Sequence, residues 1–284
     1  MDHETLFPVN EMKSGDYSKM TNEKTKSKFD MEPVINKHQL PYTMDAGLGR
    51  RARIGLIVLT DDQTIEYELR MIFDLPDVVF YVSRLYCASI ITPQTLKAME
   101  GEISRAAGLL LPGLPIDVIA YGCTSGTLFI GAKEVHARIQ KSRPEVICTS
   151  PLEAAMVAFK SLASNSICLI TPYSDKINSG LRSYIVENGL EVPIMGSWNE
   201  PDDAKVGRIS PESIREIALD LGRSDKVDTV FLSCTNLRAL RTLEEIETEL
   251  GKPVISSNQA LGWHCLRLAG ISDRLPRFGR LFNH

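Results

Sequence analysis

The sequence predicts an α/β protein of two pseudo-symmetric lobes, each a roughly four-stranded parallel sheet flanked by helices, with the candidate site between them. Three observations carry this prediction. Continuous apolar runs of strand length, such as Arg53-Ile-Gly-Leu-Ile-Val-Leu59, alternate with helix-compatible segments from there to the end of the chain. The order of segments occurs twice, Ile54-Gly-Leu-Ile matching Ile167-Cys-Leu-Ile and Val146-Ile-Cys-Thr matching Val254-Ile-Ser-Ser. Each half also holds one Asp-x5-Cys-Thr segment, Asp117-Val-Ile-Ala-Tyr-Gly-Cys123-Thr and Asp228-Thr-Val-Phe-Leu-Ser-Cys234-Thr. A repeat of about 110 residues is too long for a solenoid and fits duplicated lobes.

Residues 1–50 read as a leader, polar, lysine-rich and aperiodic over most of its length, and expected to be disordered. The first lobe is expected over 51–163 and the second over 164–284. In the first, the run at 53–59 is a buried strand, and 64–73 a helix entered through the Thr60-Asp-Asp-Gln63 loop. Val78-Val-Phe-Tyr-Val82 follows as a strand. Thr92-Pro-Gln-Thr opens one long helix reaching Leu111, with a threonine cap and proline at its first position. After the first cysteine strand come a helix over 126–141, a strand at 145–149 and a helix from Pro151 to Leu162.

The second lobe repeats this order. It has a strand at 166–170, the Thr171-Pro-Tyr-Ser174 loop, a helix over 176–188 and a strand near 191–195. A serine-capped helix from Ser210 to Leu221 leads to the second cysteine strand, and a helix over 240–250 follows it. A strand at 253–257 and a helix over 259–268 close the set.

Composition excludes several classes. The 284 residues are 43% hydrophobic and 24% charged, with a net charge of −4 from interleaved acids and bases, so no nucleic-acid or anionic-membrane partner is expected. No apolar run reaches membrane-spanning length, and the early acids Asp2 and Glu4 do not suit a secretory signal, so the expected compartment is the cytoplasm. Six scattered cysteines form no Cys-x-x-Cys pair, and no His/Cys spacing suits zinc. They are expected to be free thiols, without disulfides or a metal.

Cys123 and Cys234 carry the chemistry. A thiol at a strand end, ahead of a helix, is expected to have a depressed pKa from backbone N–H groups and the helix dipole. Thr124, Ser125, Thr235 and Asn236 add donors able to hold a carboxylate or an enediolate-like charge. Facing thiols can move a proton between two faces of a carbon acid, or one can add to an activated double bond. Neither route needs a cofactor. Cys87, Cys148, Cys168 and Cys265 read as small buried hydrophobes. Gly122-Cys-Thr-Ser-Gly126 is no phosphate loop, lacking its lysine, and no G-x-G-x-x-G follows the first strand. Apart from the C-terminal His284, only His136 and His264 lie in the body, which argues against a serine triad.

With Tyr121-Gly-Cys-Thr-Ser-Gly, Thr171-Pro-Tyr-Ser-Asp and Ser233-Cys-Thr-Asn-Leu-Arg, the chain resembles the aspartate/glutamate racemase superfamily over about residues 50–284. Within it the likeness is to the maleate cis-trans isomerase and arylmalonate decarboxylase branch. Gly55-Leu-Ile-Val-Leu-Thr-Asp-Asp-Gln-Thr-Ile-Glu is closer to the branch's ectoine-utilisation (EutA) members. The resemblance implies no cofactor, a small carboxylate substrate between Cys123 and Cys234, and a homodimer. It gives Tyr173 the role of hydrogen-bonding a substrate carboxylate. Keeping both cysteines, where the decarboxylases keep only the second-lobe one, favours isomerisation or racemisation.

The chain also departs from the pattern. Maleate isomerases carry asparagine in the first strand-end loop, where this chain has Asp62, and before a Gly-Arg-Ile-like segment, where it has Asp203. Ionised aspartates there would repel a carboxylate and attract a cationic nitrogen, so an ectoine-derived amino acid is the expected substrate. As plain helix caps, Asp62 and Asp203 would say nothing about substrate. The competing readings are a maleate isomerase- or decarboxylase-like enzyme acting on another small acid, and a non-catalytic ligand-binding protein on the same scaffold.

Overall fold

Eight strands arrange as two four-stranded sheets with the same internal order in the computed structural model, which describes residues 35 and 37–284. The first contains β1 (Ala52–Leu59), β2 (Val78–Leu85), β3 (Val118–Gly122) and β4 (Ile147–Thr149), ordered β2-β1-β3-β4. The second contains β5 (Ser166–Thr171), β6 (Glu191–Ser197), β7 (Thr229–Leu232) and β8 (Val254–Ser256), ordered β6-β5-β7-β8. Every neighbouring pair is parallel, so each sheet is the other's counterpart, strand for strand. This is the predicted two-lobed α/β architecture. Most of the leader, residues 1–34 and 36, lies outside the described residues, and 37–45 carry no helix or strand.

The duplicated aspartates have one structural job. Asp117 Oδ2 accepts from Arg53 N at 2.7 Å, where β1 begins beside β3. Asp228 Oδ2 accepts from Asn165 N at 2.9 Å and Ser166 N at 3.1 Å, where β5 begins beside β7. Each aspartate ties the start of its lobe's central strand, and the cysteine emerges at the opposite, carboxyl end.

Helices cover both sheets: α1 (Ile65–Ile72), α2 (Pro93–Ala98), α3 (Glu100–Gly108), α4 (Thr124–Ile130), α5 (Ala132–Ser142) and α6 (Pro151–Ser161) in the first half. The second half adds α7 (Asp175–Glu187), α8 (Asp203–Val206), α9 (Pro211–Gly222), α10 (Leu243–Leu250) and α11 (Ser257–Leu268). The counterparts α6 and α11 pack on one another, and α11 also packs on α1. Gly262 makes that close approach possible, since a Cβ there would lie 2.7 Å from Ile72 Cδ1. Phe159 of α6 meets Phe231 of β7 edge-on, centroids 5.4 Å apart, so the two halves share one core. Among the described residues no helix is long and apolar enough to cross a membrane.

Three helices differ from the sequence reading. The long helix predicted from Thr92 to Leu111 is two, α2 and α3, joined at Met99. The helix predicted over 126–141 breaks at Gly131, whose φ of 94° no right-handed helix contains. The helix predicted from Leu240 starts only at Leu243, and the Leu240 N–H ahead of it is held by the Glu68 carboxylate.

Candidate active site

Four strand ends converge on the site. After β1, the Thr60–Gln63 loop is pinned by Arg84, whose Nη1 donates to the carbonyls of Leu59 at 2.9 Å, Thr60 at 3.1 Å and Asp62 at 3.2 Å. Asp62 Oδ1 accepts from Thr64 N and Ile65 N, each at 2.8 Å, and so caps α1. Its Oδ2 is buried without a hydrogen-bond partner. Asp203 differs. It opens α8, yet the cap there is Asp202, whose Oδ1 takes Ala204 N at 3.0 Å. The Asp203 carboxyl is spared from capping.

Cys123 occupies the cap position of α4, and its sulfur accepts from Gly126 N at 3.1 Å. Ser125 Oγ lies 3.9 Å from that sulfur, and Thr124 Oγ1 donates to Ser257 Oγ at 2.9 Å. Cys234 follows β7 in a turn with no helix directly behind it. Its sulfur takes a longer bond from Asn236 N, at 3.4 Å. The Asn236 carboxamide is engaged with backbone: Oδ1 accepts from Gln63 N at 3.0 Å, and Nδ2 donates to Asp203 O at 2.9 Å. Tyr173 is fixed by its own loop, its N–H donating to Thr171 Oγ1 at 3.1 Å and its carbonyl accepting from Asn178 Nδ2 at 2.8 Å. Its hydroxyl faces Cys234, Cys123 and Ser125.

These groups meet around one cavity of about 20 Å³, room for a single water molecule. Cys123, Ser125, Tyr173, Asp203, Cys234 and Thr235 form its polar wall. Asp62, Thr124 and Asn236, expected in the site, are not part of that wall. The apolar wall is Leu59, Ala88, Ile91, Leu96 and Met99, with Thr95 and the thiol of Cys87 among them. This wall is not visible in the sequence: Cys87, Ala88 and Ile91 lie in a β2–α2 loop without a motif, and nothing local marks Leu59, Leu96 or Met99 as facing a cavity. Cys87 in particular reads from sequence as an inert core thiol. Its sulfur lies 3.4 Å from Thr60 Oγ1, at the rim of the β1 loop. Above the cavity, Ile91 N donates to Pro201 O at 3.0 Å and Asp203 N to Ser89 O at 3.2 Å, so loops from the two halves clasp each other. Among the described residues no cluster of three or more His, Cys, Asp or Glu side chains could hold a metal ion. His264 lies elsewhere, its Nδ1 bonded to Thr149 Oγ1 at 2.8 Å.

The electrostatics reverse one expectation. The sequence predicts thiols with depressed pKa, but burial pushes Cys123 up to about 12, outweighing the Gly126 N–H and Ser125 hydroxyl that pull it down. Cys234 also lies well above the ordinary thiol range, by burial first and the nearby Asp203 second, against the Tyr173 hydroxyl. Both thiols therefore rest protonated. The carboxyls move the same way. Asp203 is raised to about 7 by burial and by Asp62, and Glu68, beneath the site, to about 7 by burial against bonds from Leu240 N and Asn258 Nδ2.

A stability prediction follows for these two acids. Unfolded, they titrate near pH 4. Between about pH 4 and 7 the folded chain binds more protons than the unfolded one, so stability falls as pH rises through that window and levels off above it. Urea midpoints are expected to be higher at about pH 5 than at about pH 8, with a flatter profile in Glu68→Gln. A midpoint that rises over that interval and is unaffected by the substitution would contradict the assignment.

Two matching parallel sheets, each delivering a thiol from the carboxyl end of an equivalent strand to one shared cavity, define a pseudo-symmetric two-cysteine α/β protein. The chain belongs to the arylmalonate decarboxylase family, whose model matches residues 54–282. It is 26% identical to a maleate isomerase of Geobacillus stearothermophilus over 83% of this chain and 99% of the relative. To an arylmalonate decarboxylase of Bordetella bronchiseptica it is 28% identical, over 73% of this chain and 88% of the relative. Its fold is similar to that of a Nocardia farcinica maleate cis-trans isomerase, a cysteine-to-serine mutant with a covalently bound succinylcysteine intermediate. That likeness has a TM-score of 0.74 at 23% identity, over 81% of this chain and 98% of the other.

Proposed function

We propose that this chain is a cofactor-independent isomerase or racemase acting, through Cys123 and Cys234, on a small carboxylate that also carries a cationic nitrogen, such as an ectoine-derived amino acid. The reading rests most on one observation: the cavity wall holds a carboxyl, Asp203, and no lysine, arginine or histidine. With Asp203 raised to about 7, a second carboxylate would meet like charge whenever that group is ionised, whereas an ammonium or amidinium would pair with it and favour its ionised form. The hydroxyls of Ser125, Tyr173 and Thr235 line the same cavity and would turn from Cys123, Cys234 and Asp62 to the single carboxylate.

A cationic substrate also addresses the protonated thiols. Its charge would offset the Asp203 charge that helps hold both sulfurs above their usual range. One sulfur, once deprotonated, then either takes the proton from the substrate carbon while the other thiol returns one to the opposite face, or adds to a double bond. In the second case a C–S bond forms, the charge passes to the carboxylate end, and elimination restores the thiolate after rotation. The second route needs a double bond conjugated to the carboxylate, as the succinylcysteine of the Nocardia farcinica relative illustrates, whereas a saturated amino acid can follow only the first. A cavity of about 20 Å³ is smaller than such a substrate, so the groups around it must move apart before either can begin.

The test is a turnover panel of maleate, an arylmalonate and N-acylated or free diaminobutyrates, followed by chiral chromatography, on wild type and Asp203→Asn. Turnover of the amino acid, lowered roughly 10-fold or more by Asp203→Asn, is expected. Turnover of maleate alone, improved by Asp203→Asn, would replace this reading with a maleate isomerase one.

A further inference from the structure

The two cysteine turns grow from separate sheets, so neither sheet fixes the distance between their sulfurs. One short stretch of chain touches both. Ser257 and Asn258, in the first turn of α11, are fully buried. Ser257 Oγ accepts from Thr124 Oγ1 at 2.9 Å, one residue after Cys123. Asn258 Nδ2 donates to Thr235 O at 2.7 Å, one residue after Cys234, and to Glu68 Oε2 at 2.8 Å. Glu68 Oε1 in turn holds Leu240 N at 2.9 Å, at the far end of the second cysteine segment.

We infer that Ser257 and Asn258 are positioning residues that set the separation and aim of the two thiols. Neither lines the cavity, so neither meets a substrate there. The turn that carries them is itself rigid. Ser256 Oγ accepts from Gln259 N at 3.1 Å and Gln259 Oε1 from Ser256 N at 3.3 Å, a reciprocal cap. Asn258 Oδ1 is buried with no partner, a desolvation cost that a space-filling residue would not carry. Two groups acting on one carbon tolerate little error in spacing, and a rigid turn bonded to both is how such spacing is held.

The purpose of this brace rests on the two-thiol reading above, but its geometry does not, and the test reads geometry first. Iodoacetamide labelling of Cys123 and Cys234 is followed by peptide at mildly alkaline pH in wild type, Ser257→Ala and Asn258→Ala. Each variant is expected to speed labelling of its own thiol, Cys123 for Ser257→Ala and Cys234 for Asn258→Ala, by roughly 3- to 10-fold over the other. Thr124→Val, which removes the same bond from the opposite side, should reproduce Ser257→Ala. Asn258→Ser, too short to reach Thr235, serves if Asn258→Ala does not fold. General loosening would raise both rates together and would overturn the inference, as would no change. With a turned-over substrate, the same variants are expected to lower kcat at nearly constant KM, and Ser257→Thr to restore it. If the two-thiol chemistry fails, the crossed labelling pattern is still expected, so the two failures are distinguishable.

Discussion

Serine in place of Cys123 or of Cys234 is expected to lower kcat by roughly 10²- to 10⁴-fold, with KM changing far less. A serine hydroxyl is smaller than the thiol but accepts from Gly126 N or Asn236 N in its place, so the fold should survive. What it loses is acidity and nucleophilicity. Even at about 12, the Cys123 thiol is more acidic than a serine hydroxyl. Because the two sulfurs would act as one unit, the double variant should be scarcely slower than the slower single one. Cys148→Ser, in the edge strand β4 and absent from the cavity wall, provides the control and should turn over normally. Full activity in either Cys123→Ser or Cys234→Ser would end the paired-thiol mechanism and move the protein toward a binding role.

Alanine at Gly126 is the second large effect, and it comes from space, not backbone freedom. A Cβ at this position would lie 2.7 Å from Tyr121 Oη, 2.8 Å from Cys123 Sγ and 2.9 Å from Met99 Cε. Tyr121 is fully buried in β3 and cannot withdraw, so the sulfur and the methionine must shift. Overpacking of this kind costs about 1–3 kcal/mol of stability. Moving the sulfur also breaks its bond from Gly126 N, and displacement by about an ångström can cost roughly 10²-fold in rate. Gly131→Ala separates the two consequences. Its φ of 94° makes alanine strained, at about 1–3 kcal/mol, but no atom lies within 4 Å of the added Cβ. That variant should lose stability alone. A Gly126→Ala enzyme with wild-type kcat would show that the sulfur position is less critical than the contacts imply.

Much of this was legible along the chain. The apolar runs at 53–59 and 166–170 became the central strands β1 and β5, because strands covered on both faces must be continuously apolar. The Asp-x5-Cys-Thr repeat marked both lobes and both thiols at once, since one residue ties the strand's start and another leaves its end. Tyr173 entered through the resemblance carried by Thr171-Pro-Tyr-Ser-Asp, and the fold turns its hydroxyl toward both thiols. These signals are local, written within a strand and its two flanking turns.

The rest depends on which segments meet. Periodicity could not separate α2 from α3, because they follow one another with no breaker residue between them, although α2 packs on α4 and α3 on β1, β2 and α5. Cys87 and Ile91 enter the cavity wall through a loop without a motif, folded over from β2, and Met99 from the junction of α2 and α3. Asn236 offers a free donor in sequence, and only the arrival of Gln63 and Asp203 from distant segments engages it. The thiol acidity turned for the same reason. A strand-end cysteine ahead of a helix has local groups that lower its pKa, and sequence shows those groups alone. Burial comes from both halves closing over the sulfur, and at Cys123 desolvation outweighs two local bonds. The sequence by itself determined the duplicated order of segments and the two thiols, and its family resemblance pointed to the tyrosine. The tertiary structure alone decided that the thiols rest protonated, that Asp203 faces the cavity while Asp62 caps a helix, and that one turn of α11 spans both sites, because each depends on contacts between residues far apart in the chain.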